Sequence, residues 1–72
     1  MQVQEVQTHL EAFGKLLKQA DEMAEKLQRL MPAGEEPALH AQCSVVRAFL
    51  HQVHMQAQGI SAAVSYRAEP RS

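Results

Sequence analysis

The sequence predicts an all-α fold: an antiparallel two-helix hairpin with coiled-coil-like packing, completed by oligomerisation. Three observations carry that reading. Apolar residues recur at alternating spacings of three and four over two long segments. A break containing Pro and Gly separates the segments. The second segment is almost free of charge, with Arg47 the single formally charged residue between Ala38 and Tyr66.

The first helix is predicted over 2–31, which holds one Gly, no Pro and few β-branched residues. Val3, Val6, Leu10, Phe13, Leu17, Ala20, Ala24, Leu27 and Met31 fall on heptad positions a and d, counting Val3 as a. Leu16, Met23 and Leu30 widen the stripe to three positions in seven, the width of a helix packed on a neighbour. The remaining face carries Gln4, Glu5, Gln7, Glu11, Lys15, Lys18, Asp21, Glu22, Glu25, Lys26 and Arg29 and reads as solvated. Within it Glu11/Lys15, Glu22/Lys26 and Glu25/Arg29 stand in the favourable i,i+4 order, each pair worth a few tenths of a kcal/mol.

A turn is predicted over 32–37. Pro32 cannot continue a helix, Gly34 can take the left-handed conformation of a reversal, and Pro37 suits the first turn of a new helix. Glu35 and Glu36 would lie beside that helix's positive end. So short a connection implies antiparallel neighbours.

The second helix is predicted over 38–66, with Leu39, Cys43, Val46, Leu50, Val53, Ala57, Ile60 and Val64 as its seam. The hairpin interior is assigned to Val6, Leu10, Phe13, Leu17 and Leu27 from the first helix. The second contributes Leu39, Cys43, Val46, Leu50, Val53, Ile60 and Val64. Residues 1–67 then form a single hairpin and 68–72 a flexible tail.

Another uncharged row, Ala41, Val45, Ala48, Met55, Gly59, Ala62 and Tyr66, lies on positions c and f, away from that seam. A hairpin ordinarily places charges there. Gly59 inside a helix costs roughly 1 kcal/mol relative to Ala, which close packing by another molecule would account for. Val45, Ala48, Phe49, Met55, Gly59, Ala62 and Tyr66 are therefore the expected partner contacts. Chains of 72 residues bury little surface, and the lone Cys43 permits no internal disulfide, so association is the expected source of further stability.

Composition narrows the function classes. A net charge of -1, with no basic cluster or aromatic platform, excludes the electrostatic footprint of a nucleic-acid binder. No stretch reaches the roughly 18 to 20 apolar residues of a membrane span, and the opening residues lack the pattern of a secretory signal. A cytoplasmic protein is expected. His51/His54 and His40/Cys43 are ligand-like pairs, but two to three helical turns separate them, so neither pair completes a four-ligand zinc site. No nucleophile constellation or phosphate loop is present. Neither metal, cofactor nor catalytic residue is expected, and the chain is not read as an enzyme.

Pro37-Ala38-Leu39-His40-Ala41-Gln42, then Val45-Val46 and Ala48-Phe49-Leu50, and finally Tyr66-Arg67 resemble the small co-chaperones of bacterial type III secretion needle subunits, the YscE, PscE, SsaE and EscE type. The resemblance spans residues 3–67. It implies a cytoplasmic hairpin that binds a tetratricopeptide-like chaperone and helps hold the needle subunit soluble and unpolymerised until export. A second reading needs no secretion role: a self-associating hairpin that serves as an oligomerisation or adaptor module. In that case the chain alone forms a homo-oligomer.

Overall fold

The computed structural model describes residues 1–68. Two helices, α1 (Val3–Leu30) and α2 (Pro37–Ala68), fold back on each other as an all-α hairpin. At 1.5 Å per residue their 28 and 32 residues run about 42 and 48 Å. Ala68 closes α2, so the helix reaches past the predicted boundary at 66 and takes in the first residue of the predicted tail 68–72; the rest of that tail lies outside the described residues.

Helix α1 begins without a side-chain cap; the Gln2 carbonyl accepts the Val6 N–H at 3.0 Å. Glu5 in its first turn and Arg29 in its last complement the helix dipole. The reversal is built on Pro32, whose carbonyl accepts the N–H groups of Glu35 (3.0 Å) and Glu36 (2.8 Å). Gly34 keeps a negative φ, which corrects the expected left-handed turn: the doubly used Pro32 carbonyl reverses the chain without it. Pro37 then opens α2, where its missing N–H costs nothing.

The helices meet on heptad positions a and e. Position a holds Leu10, Leu17 and Ala24 in α1 and Cys43, Leu50, Ala57 and Val64 in α2; position e holds Gln7, Gly14, Asp21 and Gln28, then His40, Arg47, His54 and Ser61. Every one of these residues is buried or half-buried. Leu17, Cys43, Ala57 and Val64 form the innermost layer. The a/d seam is thereby corrected to an a/e seam, a rotation of each helix by about 50° at 3.6 residues per turn.

Five of the expected interior residues change place as a result. Phe13, Leu27, Leu39, Val46 and Ile60, all at position d, are exposed, while Val6, Leu10, Leu50 and Val53 are half-buried. The reason is geometric. A helix with one neighbour can bury one flank of a wide apolar stripe, and here that flank is shared with the hydrogen-bonding e row. Gln7, Asp21 and Glu25, read from the pattern as solvated, accordingly sit half-buried along the seam.

Candidate functional site

Polar pairing between the two e rows fixes how the helices face each other, and so fixes what they leave uncovered. Near the open end, the Gln7 side-chain amide donates to the Ser61 carbonyl (3.1 Å) and to Ser65 Oγ (2.8 Å), and Ser61 Oγ donates back to Gln7 Oε1 (2.9 Å). Near the turn, Gln28 Nε2 donates to the His40 carbonyl (3.2 Å) and to Ser44 Oγ (2.6 Å). His40 Nδ1 lies 3.0 Å from the Met31 carbonyl, which can only accept, so that nitrogen carries the proton.

Midway, Arg47 grips Asp21 with two guanidinium nitrogens, Nε at 3.0 Å and Nη2 at 3.4 Å. It also reaches Gln28 Oε1 at 3.4 Å and Glu25 Oε2 at 3.9 Å. Hydrogen bonding to Arg47 holds the Asp21 carboxyl below its ordinary pKa; the same bond raises the guanidinium. The lone charge of the second segment is thus the central tie of the hairpin. Of the three i,i+4 pairs expected on α1, Glu25–Arg29 closes; among the described residues the other two do not.

Beside the e rows runs a cleft of about 470 Å³, lined by Gly14, Leu17, Lys18, Asp21, Arg47, Ala48, Leu50, His51 and His54. Positions e and b of both helices therefore share one side of the hairpin. Antiparallel geometry places positions d and g of both helices together on the other side.

That opposite side is mostly apolar, with His9, Gln42 and Gln56 as its neutral polar members and Arg67 at one end. On α1 it presents Val6, Phe13, Ala20 and Leu27 at d and His9, Leu16, Met23 and Leu30 at g. Leu39, Val46, Val53, Ile60 and Arg67 occupy d on α2, with Gln42, Phe49, Gln56 and Ala63 at g. Arg67, near the end of α2, is the one Asp, Glu, Lys or Arg among these residues. Leu16 is 62% exposed, Met23 64%, Phe49 69% and Leu30 79%. At roughly 150–250 Å² per large free side chain, the exposed apolar residues on this side amount to on the order of 1,000 Å², against about 300–600 Å² for the largest patch of an ordinary monomer.

The partner contacts expected from sequence do not form one surface. Val45, Gly59 and Tyr66 at position c point straight away from α1, whereas Ala48, Met55 and Ala62 at f lean toward the cleft side, Ala48 lining it. Phe49 alone belongs to the apolar d/g side. Among the described residues, apart from Gly59's chain neighbours and own helix backbone, nothing lies within 4 Å of a Cβ built there, so packing within the described hairpin does not require a glycine. On the α1 half of this side the sequence assigns Val6, Phe13 and Leu27 to the interior and reads Leu16, Met23 and Leu30 as widening the stripe; none of them is in the expected contact set. Its signal is the absence of charge at d and g from Val6 to Leu30 and from Leu39 to Ala63.

Among the described residues no three His, Cys, Asp or Glu side chains gather to hold a metal. No helix among them is long and apolar enough to cross a membrane. No protein-family model, curated protein or solved structure matches this chain.

Proposed function

We propose that the hairpin is a protein-interaction module that presents its two-helix d/g side to a helical partner. The observation that carries this reading is the apolar side itself, uncharged from Leu39 to Ala63 on α2 and from Val6 to Leu30 on α1, and larger than the patches of ordinary monomers. Helices interact along a/d seams, and in this fold the a half of the seam is used internally while the d half remains free. A helical partner supplies the complementary ridges.

The resemblance of Pro37–Gln42, Val45–Leu50 and Tyr66-Arg67 to needle co-chaperones gives the proposal a biological form. In that form the partner is a tetratricopeptide-like chaperone in the cytoplasm, the hairpin covers the apolar end of its helical array as a capping repeat does, and the pair keeps a needle subunit unpolymerised before export.

Co-expression with the tetratricopeptide-like chaperone and needle subunit of the same secretion system, followed by co-purification, tests it. The parent chain should be retained with the chaperone. Leu16→Glu and Phe49→Glu, central to the exposed side, should each cost at least 2 kcal/mol of binding, the scale of an interface hot spot. Lys18→Glu, on the cleft side, should leave binding unchanged. Retention of both Glu variants would remove the d/g side from the interface, and failure of the parent chain to bind would remove the secretion reading.

A further inference from the structure

We propose that a second copy of this chain occupies the apolar side when no other partner does, with α1 of one copy lying antiparallel on α1 of the other about a two-fold axis near Leu16. The inference rests on the surface alone and not on the identity of any other partner. The exposed area, on the order of 1,000 Å², exceeds the roughly 800 Å² per subunit of a standard stable interface. Stacking two hairpins on this side restores a four-helix arrangement in which a and d together face one core.

The apolar residues run along both halves of α1, which admits this register. The N-terminal half of α1 presents an open, largely apolar surface that includes Val6, His9, Phe13 and Leu16 and is edged by Glu5. The C-terminal half of the same helix projects Met23 and Leu27, 64% and 51% exposed. An antiparallel two-fold at Leu16 brings Met23 over His9 and Leu27 over the Glu5–Val6 end, so the apolar residues of each half of α1 lie on those of the other half in the second copy.

Charge selects the same arrangement. Position c of α1, the rim of this interface, carries Glu5, Ala12, Gln19 and Lys26. Glu5 and Lys26 are opposite in sign, and neither has an ion-pair partner among the described residues. The register that seats Met23 and Leu27 also carries Lys26 of one copy to Glu5 of the other, twice by symmetry. A parallel stacking would instead set the Glu35-Glu36 turns of both copies side by side, which like charges disfavour; the antiparallel one sets each turn over the end that carries exposed Arg67. Exposed pairs add little affinity, so their part is to fix orientation.

Sedimentation equilibrium of the isolated chain over a dilution series, with far-ultraviolet circular dichroism to monitor helicity, tests the arrangement. The parent should be a dimer; Glu5→Lys and Lys26→Glu should each weaken it about tenfold, and the double reversal should recover most of the loss, because each single change creates two like-charge contacts. Independently of those variants, Leu16→Cys in a Cys43→Ser background should form a disulfide-linked dimer under mild oxidation, and Glu22→Cys in the same background should not. A monomer throughout the series overturns the proposal. So does a dimer indifferent to the reversals, or one that fails to cross-link at position 16. Binding to a chaperone, or its absence, bears on none of these readouts.

Discussion

At the scale of single residues, Arg47 and Asp21 show how one ion pair organises a small fold. Arg47 is the only formal charge from Ala38 to Tyr66, and it is spent on the hairpin's own mate. Because its hydrogen bonds hold the Asp21 carboxyl below its ordinary value, the folded state binds that proton less readily than the unfolded chain does. The stabilisation is complete above the ordinary carboxylate range and is lost as pH falls through the lower folded value. Thermal melts should therefore show a midpoint that drops below about pH 4, and Asp21→Asn should flatten that acid limb while lowering the plateau at neutral pH. An acid limb unchanged in Asp21→Asn would assign it to other carboxylates. Gly14 offers a test of opposite sign. A Cβ built there meets nothing within 4 Å, so Gly14→Ala should stabilise the hairpin by roughly 0.5–1 kcal/mol through helix propensity, read as a higher melting midpoint.

At the scale of the elements, the two helices and the turn were legible because heptad spacing and Pro-Gly breaks are local signals that tertiary context seldom reverses. The rotation of the helices was not. Apolar residues at a and d look the same whether a helix has one neighbour or three, and a two-helix unit must leave part of such a stripe open. What decides the rotation is the e row, whose Gln7, Asp21 and Gln28 resemble solvated residues until Ser61, Arg47, His40 and Ser44 stand opposite them. Phe13 and Leu27 were misplaced for that reason, and so was the contact surface they help form. Gln28 makes the consequence measurable, since its amide serves the His40 carbonyl, Ser44 and Arg47 together. Gln28→Ala should cost roughly 0.5–1.5 kcal/mol. The same substitution combined with Arg47→Ala should cost less than the sum of the two singles, because they share a contact. Strict additivity in that double-mutant cycle would show that the polar seam is not a connected unit.

At the scale of the whole molecule, four of the described residues form a buried inner layer, Leu17, Cys43, Ala57 and Val64, while thirteen large apolar residues stand exposed. A chain built this way gains much of its stability only when the d/g side is covered. If a second copy provides the cover, folding and association are one equilibrium, and each tenfold dilution removes about 1.4 kcal/mol of apparent stability per dimer. For a dimer of this combined size that corresponds to a fall of about 3–6 °C in the melting midpoint per decade of concentration. Leu16→Glu should abolish the concentration dependence and leave the low midpoint of the uncovered hairpin, while Lys18→Glu, on the cleft side, should preserve it. Melting curves of the parent chain that superimpose from micromolar to submillimolar concentration would show that the four-residue layer and the Gln7, Arg47 and Gln28 ties suffice by themselves. In that case the exposed apolar side is tolerated by the free chain and reserved for a different protein.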